Sequence, residues 1–167
     1  PGEIHIQCSA GILQLPPQPC AWARAGIALY GVAPGTLSER AGMLRPVLSL
    51  RARIASVRTL LPGQGAGYGL EFLAARQTRL ATVTIGYGDG LPRCLPQRGG
   101  EVLLHGRRFP MVGRMCMDQL LVDVTDAGEA APGDVVTILG QDGAETISAA
   151  GIAAQCGTIP NELLSRL

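Results

Sequence analysis

The segment LSLRARI, residues 48–54, carries the pattern on which the fold prediction depends. Leucine, alanine and isoleucine occupy every second position, and serine and arginine lie between them. Because a β-strand points successive side chains to opposite faces, this alternation predicts a strand with one buried and one solvated face. After Ile54 the apolar phase moves to Val57, which predicts a β-bulge or sharp twist near Ala55 and Ser56.

Further short apolar runs follow this segment toward the C-terminus. They cover residues 79–86, 102–105, 108–112, 120–124 and 135–139. His105-Gly106-Arg107 predicts a tight hairpin turn, and Pro132-Gly133-Asp134 predicts a turn into the last run. Short strands at this spacing favour a closed or sandwiched, mainly β domain.

The two ends of the chain differ from this centre. Toward the C-terminus, Ser148 predicts the start of a short helix that continues to Gln155 before Gly157, and Pro160 predicts the first turn of a terminal helix. Toward the N-terminus, the apolar run ARAGIALYG, residues 23–31, predicts a buried strand within a strand–connection–strand unit. Residues 33–42 have the composition of a loop.

The composition excludes several classes of function. The 14 cationic residues are all arginine, they nearly balance 13 acidic residues, and the net charge is +1. Scattered, matched charges argue against a nucleic-acid surface or a polybasic membrane surface. Because the chain contains no lysine, it contains no residue that could form a Schiff base with a carbonyl cofactor.

The cysteines and termini indicate a cytoplasmic setting. The five cysteines, Cys8, Cys20, Cys94, Cys116 and Cys156, form no CxxC pair, and two isolated histidines add no metal ligand pattern. We therefore expect reduced thiols and no metal site. No signal peptide or apolar run of spanning length is present, and the missing initiator methionine suggests a portion of a longer protein.

Four segments carry more chemistry than a β domain requires. In GAGYG, residues 65–69, two glycines give Tyr68 the freedom to project from a loop, although a tyrosine packed on the core is the simpler alternative. RMCMDQ, residues 114–119, also has simple interpretations. Cys116 is then an inert thiol, Met117 fills the core, and Arg114 and Asp118 form a surface ion pair. The simplest interpretation of residues 86–93 is a turn, and that of residues 157–162 is a helix N-terminus.

Taken together and in order, these stretches resemble the alanine racemase family. The matching segments are RAGIALYGVAPG, PVLSLRARI, GAGYGLEF, TVTIGYGDGLPR, VGRMCMDQLLVDVTD, PGDVVTILG and GTIPNE. The family consists of enzymes that use pyridoxal 5'-phosphate (PLP) and have an α/β barrel followed by a β domain. The resemblance implies that residues 1–35 are a remnant of the end of the barrel and that residues 36–167 are the C-terminal β domain. The barrel segment with the cofactor-binding lysine then lies outside this chain.

The resemblance also implies roles for individual residues. Ser9, Gly26 and Ile27 match the cofactor phosphate site, and Arg24 matches the arginine that faces the pyridine nitrogen, although Cys8 stands where the family usually has asparagine. Tyr68 matches the catalytic tyrosine, which acts across the interface of a homodimer. A phenol with a pKa near ~10 needs positive charge nearby to act as a base.

Further matches concern the substrate and its route. The resemblance implies that the backbone N–H of Met117 contacts the substrate carboxylate. The residues that match the entrance to the site are Tyr87, Arg93, Arg114, Asp118 and Ile159. Asn161 departs from the tyrosine usual in alanine racemases and resembles the racemase domains of membrane-anchored serine racemases associated with vancomycin resistance; in a parent of that kind, a transmembrane part would lie upstream.

The sequence therefore predicts the C-terminal part of a PLP-dependent racemase that acts on alanine, and on serine as a second substrate. Without the lysine, this fragment alone is expected to be inactive. The alternatives are the β domain of a PLP-dependent amino-acid decarboxylase and a non-enzymatic dimerisation module. Because the barrel remnant leaves open edges and apolar faces, it is also expected to associate with another chain or to leave its barrel-like position.

Overall fold

A computed structural model of the protein describes residues 2–34 and 42–167. They divide into two compact units between Leu48 and Ser49. The boundary predicted between residues 35 and 36, and most of the predicted loop at 33–42, lie outside the described residues. Each unit is described by itself.

The described residues of the smaller unit include a short helix, α1 at Ser9–Gln14, and a 3-10 turn at Ile27–Tyr30. Among its described residues, the only strand pairing is a single parallel bridge between Cys8 and Arg24. The Arg24 N–H donates to the Gln7 carbonyl at 2.7 Å, which fixes the two extended segments side by side.

The buried strand predicted for residues 23–31 is wrong. The Leu29 N–H donates to the Gly26 carbonyl at 2.9 Å, and Gly31 closes the 3-10 turn with a φ of 73°. Because the backbone groups bond locally, they are not available for a β ladder. Ile27 is buried, whereas Leu29 and Tyr30 are exposed.

The larger unit, in which every residue is described, contains nine strands. They are β1 Leu50–Leu60, β2 Gly65–Ala66, β3 Phe72–Leu73, β4 Thr78–Val83, β5 Glu101–Leu104, β6 Arg107–Val112, β7 Leu120–Asp123, β8 Val135–Asp142 and β9 Glu145–Ile147. Six of them follow the order β1-β4-β7-β6-β5-β8, and β1 also pairs with β8. The sheet therefore closes into an antiparallel barrel, which confirms the prediction of a mainly β domain.

Strand β1 closes the barrel because its two halves pair with different partners. Residues 50–53 pair with β8, and residues 54–60 pair with β4. The register shifts between Ile54 and Ser56, which confirms the predicted bulge. A bulge increases the local bend and twist, so one strand can serve both edges of the sheet.

The core lies inside the barrel and extends to both faces of its central strands. The largest fully buried side chains of the strands are those of Ile54, Leu80, Val83, Val102, Leu103, Leu104, Leu120, Val122 and Ile138. Burial of each contributes roughly 1.5–3 kcal/mol of transfer free energy. The barrel is therefore a packed core rather than an open channel.

The predicted turns of the barrel are confirmed. Leu104 pairs with Arg107, so His105 and Gly106 form a two-residue hairpin turn. Both have positive φ, 52° and 73°, as a type I′ turn requires. At the entry to β8, Gly133 has a φ of 96°.

Two helices follow the barrel, as predicted. Helix α2, Ala149–Cys156, begins after Ser148, whose Oγ accepts a hydrogen bond from the Gly151 N–H at 3.0 Å. It ends at Gly157, which has a φ of 70°. Helix α3, Pro160–Arg166, begins with the proline at its first position.

Candidate active site

Tyr68 lies at the tip of a hairpin formed by β2 and β3. Gly65 pairs with Leu73 and Ala66 with Phe72, and a 3-10 turn over Tyr68–Leu70 connects the strands. The flanking Gly67 and Gly69 have φ values of 77° and 72°, which residues other than glycine rarely adopt. The tyrosine is 66% exposed, so it projects from a loop and does not pack on the core.

A small apolar cluster supports this hairpin. Its buried members are Leu60, Ala66, Ala74 and Leu80, and the partly buried side chains of Phe72, Val112 and Leu121 pack against them. The backbone of Ala74 adds two hydrogen bonds. Its N–H donates to the Gln64 carbonyl at 2.9 Å, and its carbonyl accepts from the Gly63 N–H at 2.7 Å. Apolar packing and these hydrogen bonds therefore fix the position of the turn that carries Tyr68.

The Arg114 guanidinium lies beside the Tyr68 turn. Its Nε is 2.6 Å from Oε2 of Glu71, so the surface ion pair of this segment joins Arg114 to Glu71 rather than to Asp118. A Cβ atom on Gly69 would lie 3.8 Å from Nη1 of Arg114. A permanent positive charge therefore sits next to the residue that follows Tyr68.

Two loops are locked together next to this region. The Tyr87 N–H donates to the Cys116 carbonyl at 3.1 Å, and the Gly88 N–H donates to the Met117 carbonyl at 2.7 Å. A Cβ on Gly86 would lie 2.3 Å from the Cys116 carbonyl oxygen, so the approach requires glycine. The Gly86 N–H is bonded in turn to Oδ2 of Asp89 at 2.9 Å.

The locked loops expose three of the sequence-predicted site residues, Tyr87, Met117 and Asp118. Met117 is 62% exposed, which excludes the alternative that it fills the core. Cys116 is half-buried between them, and burial, followed by the charge of Asp118, raises the pKa of its thiol. A thiol in this setting stays protonated and is a poor nucleophile.

A cleft of about 780 Å³ opens beside Arg114. Its lining includes Arg93, Arg114 and Glu71 together with the Gly157–Thr158 segment that precedes α3. Ile159 and Asn161 are exposed on the same segment and the first turn of α3, but their side chains do not line the cleft. The structure thus brings two predicted entrance residues into one cleft and leaves Ile159 and Asn161 outside its lining.

In the smaller unit, Ser9 and the turn at residue 26 converge on one point. The Ser9 Oγ accepts hydrogen bonds from the Gly26 N–H at 2.8 Å and from the Ala28 N–H at 3.2 Å. The parallel bridge between Cys8 and Arg24 sets this arrangement, because it places the residues that follow each extended segment next to each other. Sequence reasoning missed the Ala28 amide, which only the 3-10 geometry brings toward Ser9.

The donors that this convergence offers to an anion are the Ser9 hydroxyl and the Ile27 N–H, because the Gly26 and Ala28 N–H groups already donate to the Ser9 Oγ. Ser9 is buried, and Ile27 begins the 3-10 turn, where the first N–H groups lack partners within the turn. A Cβ on Gly26 would lie 3.8 Å from the Ser9 Oγ, inside the same small space. Arg24 is exposed beside it.

Residues 2–34 and 42–167 provide neither a metal-binding cluster nor a membrane-spanning helix. They contain no group of three or more histidine, cysteine or acidic residues that could hold a metal ion. None of their helices has the length and apolar character needed to cross a bilayer.

The larger unit is a closed antiparallel barrel that presents a tyrosine between two glycines, beside an arginine-lined cleft. These features define the class of domain. Comparison with known proteins gives the family. Residues 47–167 match the family model described as alanine racemase, C-terminal domain. The chain is 39% identical over 166 residues to an alanine racemase of Pseudomonas taetrolens, covering 99% of this chain and 45% of that protein. The chain therefore belongs to the alanine racemase family.

Solved structures agree with this assignment. Alanine racemase from Bacillus anthracis with bound L-Ala-P superposes with a TM-score of 0.88 at 35% identity, covering 98% of this chain and 42% of that one. Alanine racemase from Bartonella henselae with covalently bound pyridoxal phosphate gives a TM-score of 0.85 at 32% identity, covering 99% and 44%. The chain thus spans less than half the length of the relatives that it matches.

Proposed function

We propose that this chain is the C-terminal portion of a PLP-dependent alanine racemase and that Tyr68 is one of its two proton-transfer residues. The observation that carries the proposal is the presentation of Tyr68, exposed and held between Gly67 and Gly69 beside the Arg114 guanidinium. The names of the relatives support racemisation over the decarboxylase and dimerisation alternatives.

The chemistry needs two groups on opposite faces of the substrate Cα, one to remove a proton and one to return it. When PLP is bound, it withdraws electrons from the substrate and makes the Cα proton acidic. Tyr68 moves the proton on one face through its phenolic oxygen. The Arg114 guanidinium, paired with Glu71, holds positive charge beside the turn that carries this phenol.

The cofactor would be held by residues of the smaller unit. Ser9, Gly26 and Ile27 would supply a hydroxyl and turn amides for its phosphate, and the 2.8 Å between the Gly26 nitrogen and the Ser9 Oγ supports this grouping. To bind the phosphate, the Gly26 N–H would exchange the Ser9 Oγ for a phosphate oxygen. Arg24 would face the pyridine nitrogen. Because a guanidinium stays protonated and accepts no hydrogen bond, it would not favour protonation of that nitrogen. Arg24 thereby limits how far the ring acts as an electron sink.

The remaining assignments concern substrate and partners. The Met117 N–H binds the substrate carboxylate, and Tyr87, Arg93, Arg114, Asp118 and Ile159 line the entrance. The working enzyme is a homodimer in which Tyr68 acts on cofactor held by the other subunit. Because no lysine is present to complete the pair of proton-transfer groups, the chain alone does not racemise amino acids.

Two finer proposals rest on single features. Asn161, exposed at the start of α3, admits serine as a second substrate because its amide can donate to and accept from a hydroxyl. The five unpaired cysteines favour a cytoplasmic location for this domain, with any membrane anchor in an upstream segment.

The test uses the longer protein that contains this chain and its barrel. Tyr68→Phe is expected to lower racemisation by about 10²- to 10⁴-fold, the usual contribution of a proton-transfer group. The visible absorbance of bound PLP should stay unchanged, since the phenol does not hold the cofactor. Tyr30→Phe is the matched control, and the 167-residue chain alone is the inactive reference. Full activity of Tyr68→Phe would disprove the role of Tyr68.

A further inference from the structure

Cys94 and Cys156 meet at one edge of the cleft, although 61 residues separate them in the sequence. Cys94 lies in the segment between β4 and β5, and Cys156 is the last residue of α2. Both line the cleft, and the Cys94 thiol lies close enough to Cys156 to influence its ionisation. Neither cysteine has a role in the proposed proton transfer.

The backbone on each side of this pair is already fixed. The Arg98 N–H donates to the Cys94 carbonyl at 3.1 Å, and the adjacent Leu95 is fully buried. Next to Cys156, Nε2 of Gln155 donates to the Gly99 carbonyl at 3.4 Å, so α2 is tied to the same segment. The two thiols therefore stay together without any movement of the barrel strands.

The two thiols differ in accessibility. Cys94 is exposed, whereas Cys156 is half-buried. Burial, and then the neighbouring Cys94 thiol, raises the pKa of Cys156 to about 11. Because Cys94 is the more accessible of the two, it is the residue that reacts first with a reagent from solution, and Cys156 is the residue that resolves the product.

We propose that Cys94 and Cys156 form a reversible dithiol–disulfide site whose oxidant is a small-molecule disulfide such as oxidised glutathione. The Cys94 thiolate attacks one sulfur of the oxidant, which forms a mixed disulfide and releases one thiolate. Cys156 loses its proton to solvent and attacks the Cys94 sulfur, which forms the internal disulfide and releases the second thiolate. Two protein thiols are oxidised, and one disulfide is reduced to two thiols.

The consequence of this bond would fall on the cleft. It links the segment that carries Arg93 to the end of α2, directly before the Gly157–Thr158 part of the lining. The internal disulfide would thus fix the width of that edge of the cleft, and reduction would release it. The site does not depend on PLP or on the reaction proposed above.

The test treats the 167-residue chain with excess oxidised glutathione and follows the products by mass spectrometry with peptide mapping. The expected product is a Cys94–Cys156 disulfide that reduced glutathione reverses. Cys156→Ser should stop the reaction at a stable glutathione adduct on Cys94, and Cys94→Ser should prevent the crosslink. Cys20→Ser, the matched control, should leave it unchanged.

Two outcomes would overturn the proposal. One is a persistent glutathione adduct on Cys94 in the unaltered chain, and the other is a crosslink distribution that is the same in folded protein and in denaturant. The pH dependence gives an independent measure, because the closing step requires the Cys156 thiolate. Its rate should rise with pH between pH 7 and 9, because burial holds the pKa of the Cys156 thiol above its usual range.

Discussion

At the scale of single residues, backbone conformation rather than side-chain packing presents the reactive group. Gly67 and Gly69 both have positive φ, and Tyr68 between them has its side chain largely in solvent. The side chains that matter to it, Glu71 and Arg114, form an exposed ion pair. Exposed pairs contribute about 0–1 kcal/mol to folding, so this one serves to position charge and adds little stability.

Asn161 gives a prediction about substrate choice at the same scale. In the parent enzyme, Asn161→Tyr should lower serine turnover relative to alanine by roughly tenfold, because the ring removes space and the amide that would meet the serine hydroxyl. Steady-state rates with both amino acids measure the ratio. Ser165→Tyr, on the same helix, adds the same ring at another exposed position and should leave the ratio unchanged. An unaltered ratio in Asn161→Tyr would rule out the serine proposal.

Sequence reasoning about residues succeeded where the backbone carries the signal. The glycines around Tyr68, the Ser148 cap and the two-residue turn at His105 are all local, and the structure confirms these three features. It failed where a partner comes from far along the chain. Glu71, the partner of Arg114, lies 43 positions away from it in the sequence, and no local pattern indicates this pairing.

At the scale of elements, the β2–β3 hairpin depends on one apolar cluster on the barrel. Leu80 of β4 is fully buried there, whereas Leu73 of β3 points to solvent. The hairpin has only two paired residues in each strand, which is too few for independent stability. Packing on the barrel is therefore what fixes the position of Tyr68.

Leu80→Ala tests this dependence. It should lower the free energy of unfolding by about 2–5 kcal/mol, the usual cost of a cavity at a buried leucine. Amide hydrogen exchange at Gly63 and Ala74, whose hydrogen bonds close the hairpin, should speed up. Leu73→Ala removes the same atoms from an exposed position and should cost less than about 0.5 kcal/mol. Equal effects of the two substitutions would show that the cluster does not support the hairpin.

The elements that sequence reasoning missed share a physical cause. Strands β2, β3 and β9 have two or three residues each, too short for an alternation to appear. Residues 23–31 show the opposite error, because an apolar run between glycines fits a buried strand and a turn equally well. There the local hydrogen bonds of Leu29 and Gly31 prevail over strand propensity.

At the scale of the whole molecule, the two units differ in how well they bury apolar surface. The barrel has a closed core, whereas the smaller unit leaves large apolar side chains in solvent, Trp22 at 61% and Leu29 at 67% among them. Exposed apolar surface of this kind marks a contact face. In the proposed parent, the rest of the α/β barrel covers it.

The chain by itself should therefore associate with itself. Sedimentation velocity over a range of concentrations should show mass increasing with concentration. Fluorescence of Trp22, the sole tryptophan of the sequence, should shift to shorter wavelength as its ring leaves water. Leu29→Arg should weaken association, and Leu73→Arg, at an exposed position of the β2–β3 hairpin, is the matched control. A single monomeric species at every concentration would contradict the prediction.

The double pairing of β1 has a consequence for how the domain is made. Leu50, at the beginning of the barrel, pairs with Leu139, near its end. Closure of the barrel therefore waits until β8 has left the ribosome, and the first half of β1 remains an open edge until then. During synthesis this edge is open to pairing with other chains, and the arginines at positions 51 and 53 place charge along it, which opposes such pairing.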